Sequence, residues 1–455
     1  MEIILRKFPY PYKAALSICN DIDYMTKEKF IAIHSFLSSK DEGLGLEIAD
    51  SFWMYAIEND LTGSFSYFKG LSDELSAIAA LIEKMVQHGY IDSLHTYGNF
   101  SQYPGFRRKL AQRGVELMKN KSMNIAVWTN HGNMLNLQNI GLSNACGDTS
   151  CIVGADGDKR ECCEYEESMY HSDITVSGGI RYVWIDKLTE IIGQGRPCGV
   201  IEAAFSKLDR CVSSRSFIYR FFQIGVSLLL VVQKKTGIRI VAESLRQKLF
   251  AKIYDGDNDL ARIVTLRDGQ RVYSFTRYGR FGIDDADSIP VLLSKKTLKR
   301  LKQKQGYMVV FAHLAKSKSA KNGQPFSQRT RDAFSNLALE SRKDVYVTTT
   351  GKLLQYYTVT KYLKWRVEEK DGAVLIHIDK VNDPVRGDYI PTEIELQGVT
   401  FYVPDVRRAS VDIAGHPVDI QKNPKDSTGK ESVTIPLVRL APFEDVMRTI
   451  EESAR

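Results

Sequence analysis

The first two thirds of this 455-residue chain repeat one unit: a short apolar strand that ends in polar residues, often followed by a helical segment. Residues 13–19 (KAALSIC) read as a strand entering Asn20-Asp21-Ile22-Asp23, and Thr26 caps a helix predicted to run to Leu37. Within 73–87, Leu75, Ile78, Ile82 and Met85 fall at helical spacing, and Gly89 stops that helix. Residues 90–94 form a strand entering His95-Thr96-Tyr97-Gly98-Asn99. Residues 106–118 are helical, and 124–129 lead to Asn130-His131-Gly132-Asn133. The device recurs where residues 271–275 end in Thr276-Arg277-Tyr278-Gly279 and where 307–312 end in His313. It appears once more at 344–349, before a helix starting near Lys352.

Strands alternating with helices build βαβ units, so the predicted fold class is α/β with a parallel sheet. In such sheets, and above all in barrels, the site is assembled from the loops after the C-terminal ends of the strands. Those ends carry Asp21, Asp23, His95, His131, Arg277 and His313, so three of the eight histidines occupy one kind of position. Packing alone gives a histidine no reason to choose it.

After about Tyr362 the pattern changes to short strands (362–367, 373–378, 394–403, 409–420 and 432–440) separated by glycine-bearing turns such as Asp371-Gly372 and Gln397-Gly398. This predicts two domains. Residues 1–360 form a (β/α) barrel with an acidic insertion near 141–180, and residues 361–455 form an all-β module, a small antiparallel sandwich. A helix over 442–453 is expected to close that module.

A composition of 43% hydrophobic and 26% charged residues excludes extensive disorder. The net charge of +7, with no long like-charge block, makes nucleic acid an unexpected partner. Seven cysteines, all at or before Cys211, make no disulfide framework, and the opening MEIILRK lacks the apolar core of a leader. A cytoplasmic protein is expected. The longest apolar stretch, 221–232, is too short for a bilayer span of ~20 residues. It reads as a buried strand or core helix, while its basic flanks, Arg220, Lys234 and Lys235, leave peripheral membrane contact open.

Each motif has a chemical and a plainer reading. Asp21 and Asp23 share a face if strand geometry persists; one can bind a metal while the other, poised near neutrality, takes a proton from water. Otherwise they form a solvated turn. Asn99 stands four residues after His95, a neutral oxygen donor where a histidine would complete a ligand pair; a loop histidine bonded to backbone is the alternative. Gly132 lets a ligand approach the backbone beside His131 and Asn133. His131 can supply the nitrogen that Asn99 lacks, or bind substrate hydroxyls. His313 has the position of a general acid, and Arg277 that of a group orienting a carboxylate or contacting substrate. A packing role is the ordinary alternative for both. Cys146, Cys151, Cys162 and Cys163 lack zinc-knuckle spacing. His171, in the insertion, is a lesser candidate for substrate contact. Lys295–Lys304 reads as a solvated helix face with Leu298 and Leu301 buried.

In chain order these motifs resemble those of the polysaccharide deacetylase family, metal-dependent sugar N- and O-deacetylases on a distorted (β/α)₇ barrel. Asn20-Asp21-Ile22-Asp23 falls where the family has its strand-end aspartates, and His95-Thr96 where its His-[Ser/Thr]-x-x-His motif begins. Arg277-Tyr278 loosely matches the arginine motif, and His313 falls where the last motif ends. The resemblance covers residues 10–360. It departs where Ile22 separates the aspartates, where Asn99 replaces the second histidine, and at the insertion. It implies hydrolytic deacetylation of an acetylated sugar or polysaccharide precursor, nucleotide- or lipid-linked, in surface-polysaccharide biosynthesis. It further implies a divalent ion, first of all zinc, held by Asp23, His95 and Asn99 or His131, with Asp21 as base and His313 as acid. His131, Asn133 and Arg277 would contact substrate. Asn99 also favours an alternative, a barrel that has lost turnover and binds carbohydrate.

Overall fold

A computed structural model describes residues 2–57, 61–100, 105–132, 170–185, 187–199, 214–238, 258–320 and 323–453, together with 136, 138–140, 202, 203, 206, 240–242 and 245. Up to residue 350 the strands are β1 (Ile4–Leu5), β2 (Ala14–Asn20), β3 (Ala49–Tyr55), β4 (Ser66–Phe68), β5 (Ile91–Leu94), β6 (Val127–Thr129) and β7 (Tyr182–Trp184). They continue with β8 (Leu188–Thr189), β9 (Ala261–Thr265), β10 (Arg271–Phe275), β11 (Arg277–Tyr278), β12 (Tyr307–Ala312) and β13 (Val345–Val347).

Strands β2 to β13 form one twelve-stranded sheet with the path β8-β11-β12-β2-β3-β5-β6-β7-β10-β9; β13 joins β2, and β4 joins β3. All its pairings are parallel except that of β9 with β10. Only Thr276 separates β10 from β11, yet β10 pairs with β7 and β11 with β12. The sheet therefore curls round on itself in a barrel-like form. Every residue of β2 and β12 is buried, as parallel strands covered on both faces require.

Helices cover the sheet. Thr26 caps Lys27–Ser38 by accepting from Lys29 N, and the helix buries Phe30, Ile33 and Leu37. In Lys295–Lys304 the lysines and Arg300 surround a buried Leu298 and Leu301. The helix expected over 73–87 begins only at Ala79, because Lys69 N and Ser76 N bond to Glu74 O and Tyr67 O in a turn beside β4. The stretch 221–232, expected to be buried, lies in a helix, Ser214–Thr236, whose Phe221 and Phe222 face solvent. Among the described residues no helix is long and apolar enough to cross a membrane.

The helix Thr350–Tyr362 runs straight into the second module. There β14 (Leu363–Lys370), β15 (Ala373–Asp383), β16 (Gly387–Tyr389), β17 (Thr400–Val403), β18 (Ala409–Ile413), β19 (His416–Pro417), β20 (Gln421–Asn423) and β21 (Glu431–Thr434) form two sheets. One runs β14-β15-β18-β19 with β16 beside β15, and the other β1-β17-β21-β20. The module is not wholly antiparallel, since β15 and β18 pair in parallel. It also recruits the chain's first strand, Ile4 lying opposite Tyr402. The last helix, Phe443–Ser453, leaves it: Phe443 packs on Phe30, His34 and Tyr90 of the barrel.

Candidate metal centre

The loops after β2, β5, β6, β11 and β12 open at one end of the sheet. After β2, Asp21 N donates to Ala312 O (2.9 Å) and Ile22 N to Ser51 Oγ (3.1 Å), while Ile22 plugs the core. The turn is thus pinned between its neighbours β12 and β3, and both aspartates reach one pocket. His95 follows β5, and His131 follows β6 by one residue. The His131 backbone is held by Asn136 and Asn139, whose side-chain amides donate to its carbonyl at 2.8 and 2.9 Å.

Asp23, His95 and His131 bring one ligand atom each to within 4.8 Å of one another, and among the described residues this is the one such group. His95 Nε2 lies 3.2 Å from Asp23 Oδ1, and His131 Nδ1 lies 3.1 Å from His95 Nε2 and 3.5 Å from Asp23 Oδ1. Tetrahedral ligands about 2.0–2.2 Å from an ion stand about 3.3–3.6 Å apart, close to these three edges. With its proton on Nδ1, His95 donates to Thr129 Oγ1 at 2.7 Å and presents an Nε2 lone pair to the group, the usual arrangement behind a metal-ligating histidine. Trp53 packs on both imidazoles, with ring centroids 4.4 and 4.8 Å away. Two nitrogens and one oxygen facing each other without an intervening donor fit a divalent cation.

Beside this group, Arg277 holds Asp21 with both guanidinium nitrogens, Nη1 to Oδ2 at 2.8 Å and Nη2 to Oδ1 at 3.0 Å. The guanidinium lies 4.0 Å over the Trp184 ring and is fully buried. His313 Nε2 reaches toward both aspartates, 3.4 Å from Asp23 Oδ2 and 3.9 Å from Asp21 Oδ2, while Asp284 Oδ2 lies 3.0 Å from its Nδ1. Lys316 Nζ bonds Asp23 Oδ2 at 2.8 Å from the solvent side.

These contacts set the charges. Burial pushes the Asp21 carboxyl up, but Arg277, helped by His95 and His313, outweighs it and holds Asp21 below the usual carboxylate range. Asp23 meets the same burial penalty, and the contacts with His313 and His95 carry it well below that range. For His313, burial favours the neutral ring, yet Asp23 and Asp284 raise it to about 9. His131 goes the other way: burial, and then the neighbouring His95, lower it to about 4, leaving a neutral imidazole. The pocket thus pairs two carboxylates and a protonated histidine with a neutral ligand-type histidine.

Several expectations need correction. Of the two alternatives for the third position, the side chain that converges is His131 and not Asn99, so His131 stands with the candidate ligands. Asn99 sits in a turn where Thr96 takes a left-handed φ of 55° and the Gly98 carbonyl accepts from Thr96 Oγ1 and Gln138, which takes the chain out of the line of β5. Arg277 is sealed behind Asp21 and orients it instead of meeting substrate. The expected carboxyl poised near neutrality is absent from Asp21 for the same reason. His171 is a packing residue, bonded through Nδ1 to Thr175 Oγ1 (2.8 Å) and through Nε2 to Gln138 O (2.7 Å). Asn133, Cys146, Cys151, Cys162 and Cys163 lie outside the described residues.

Sequence reasoning missed Thr129, Asp284 and Lys316. Lys316 stands three residues after His313, and Asp284 opens the acidic run Asp284-Asp285-Ala286-Asp287, so both carried a positional hint. Thr129 ends its strand and carried none.

What the fold and site define is a class by architecture, a curled mixed α/β sheet with an Asp-His-His candidate metal centre at the C-terminal ends of its strands. A scan of protein-family models, a comparison with curated proteins and a comparison with solved structures each return no match.

Proposed function

We propose that this chain is a metal-dependent hydrolase that removes an acetyl group from an acetylated sugar or polysaccharide precursor. The observation that carries the reading is the convergence of Asp23, His95 and His131 beside an arginine-held Asp21 and a protonated His313. Asp23, His95 and His131 would hold a divalent ion, zinc being favoured by the two-nitrogen, one-oxygen donor set. When bound, that ion polarises the acetyl carbonyl and lowers the pKa of water.

The chain's own residues do the rest. Asp21 accepts the proton of the attacking water on a carboxylate oxygen, with Arg277 fixing its plane. His313, protonated on Nε2, donates that proton to the departing amine or alcohol, and Asp284 orients its ring. The acetyl group, the saccharide, its nucleotide or lipid carrier and a cytoplasmic place in surface-polysaccharide biosynthesis come from the motif resemblance.

One observation favours a second reading, a carbohydrate-binding barrel without turnover. The Lys316 ammonium already satisfies Asp23 Oδ2, as a cation would. Metal analysis of the purified chain, with release of acetate from N- and O-acetylated nucleotide sugars assayed before and after chelation, separates the two. One equivalent of metal and chelator-sensitive acetate release support the enzyme. A metal-free chain that binds acetylated sugars without releasing acetate supports the binder.

A further inference from the structure

The helix Ser214–Thr236 belongs to an insertion between β8 and β9. At its root, Gly195 N donates to Asn258 O (2.8 Å) and Asn258 Nδ2 to Gly193 O (2.9 Å). Gln194 bridges to Tyr307, the first residue of β12. Because His313 follows the last residue of β12, the root lies at the end of the barrel opposite the candidate metal centre.

This helix shows water an apolar stripe. Phe221, Phe222, Leu229 and Val232 are 58, 62, 44 and 46% exposed. At 3.6 residues per turn, they fall within an arc of about 100°. The chain beyond the helix continues the pattern, with Ile238 66% exposed. Another side of the helix is spoken for: Val226 and Leu230 are buried against Val241. Two adjacent exposed phenylalanines in such a stripe mark a surface that meets another apolar phase.

The charge says which phase. Residues 214–236 contain four lysines and arginines, Arg215, Arg220, Lys234 and Lys235, and no acid. Arg215 and Arg220 precede the stripe, and Lys234 and Lys235 follow it. A second copy of this surface would bring the same positive surplus to the contact and repel it. An apolar stripe bracketed by cations is the pattern of a helix lying in the interface of an anionic bilayer. We propose that Ser214–Thr236 docks the chain on anionic phospholipid membranes, lying in the interface without crossing it, with the barrel end that carries the metal centre left clear. The inference does not rest on the deacetylase reading.

Flotation of the full chain with vesicles tests it. The expected result is flotation with phosphatidylcholine vesicles containing about a third phosphatidylglycerol at low salt, loss of flotation at high salt, and none with phosphatidylcholine alone. Phe221→Ser with Phe222→Ser should lower binding at least about tenfold, and Lys234→Gln with Lys235→Gln about tenfold at low salt. All four residues belong to this helix, so an unchanged circular dichroism melt certifies the variants. A chain that ignores anionic vesicles, or serine variants that float like the parent, overturns the proposal. So does a dimer on gel filtration that the serine variants split, which would make a second copy the occupant.

Discussion

Among the described residues two histidine–aspartate clusters lie within the barrel, and they are built on opposite principles. In the first, His34 Nε2 lies 3.3 Å from Asp50 Oδ2, and Asn20 Nδ2 donates to Asp50 Oδ1 at 2.7 Å. His34 Nδ1 meets Ser38 Oγ at 3.3 Å, the His34 and Asp50 side chains are fully buried, and Tyr90 and Phe443 wall them in. Every polar atom there faces a complementary one. In the second, around Asp23, nitrogen faces nitrogen at 3.1 Å and the carboxylate oxygen turns to both. The first cluster is closed and structural. The second is arranged for a cation, with Lys316 at its solvent side. Burial alone does not separate them; the matching of donors to acceptors does.

The largest expected effect comes from breaking the second cluster. His95→Ala should abolish stoichiometric metal binding and acetate release while the thermal melt stays near that of the parent, because the site is not what holds the barrel together. Full activity in the purified variant would sink the assignment. Asp21→Asn should retain the metal and lose about 10²–10⁴-fold in rate, the span of a general base.

Breaking the first cluster should do the reverse. Asp50→Ala strands His34 Nε2 and the Asn20 amide in the core, and each buried donor left without a partner costs about 1–3 kcal/mol. Denaturant titration should show that loss with metal stoichiometry unchanged. A variant as stable as the parent but unable to take up metal would mean the two clusters are one system. An intermediate test falls on the support of the metal centre. Thr129→Val removes the acceptor behind His95 Nδ1, so metal affinity measured by competition with a chelator should fall about 10–100-fold.

The contrast also explains what could be read in advance. Strands buried on both faces leave continuous apolar runs, so β2, β10 and β12 were visible in the sequence together with the aspartates and histidines at their ends. Chemistry clustered at strand ends is a one-dimensional signal. Partner choice is not. Nothing in the sequence says that Arg277 faces Asp21 rather than solvent, or that His131 rather than Asn99 completes the group; both follow from how β6 and β11 sit in the curled sheet. The pairing of Ile4 and Leu5 with β17 spans nearly the whole chain and rests on two residues, too few for a periodicity. For 221–232 apolarity was legible but exposure was not, since the same residues suit a core or an interface. The basic flanks Arg220, Lys234 and Lys235, which were legible, carry that distinction.

The smallest effect tests whether donor–acceptor matching, rather than histidine content, distinguishes the clusters. His171 is a buried histidine outside both clusters and, like His34, has partners on both nitrogens. Burial lowers its pKa from the ordinary 6.5 to about 4, although the Gln138 carbonyl works against that. The unfolded chain therefore takes up a proton near pH 6.5 that the folded chain refuses until about pH 4. Its contribution to stability is complete above pH 6.5 and declines as the pH falls toward 4, by at most about 1.4 kcal/mol per unit. His171→Gln, which keeps a donor and an acceptor, removes that proton from the linkage. Denaturant unfolding across this pH range should show the parent losing stability more steeply than the variant, with the gap between them narrowing as the pH falls. A gap that stays constant would mean that His171 is reached by water and titrates normally. Its closed surroundings would then not be the counterpart of the His34 pocket, and the distinction between sealed and cation-ready histidines would rest on the first two clusters alone.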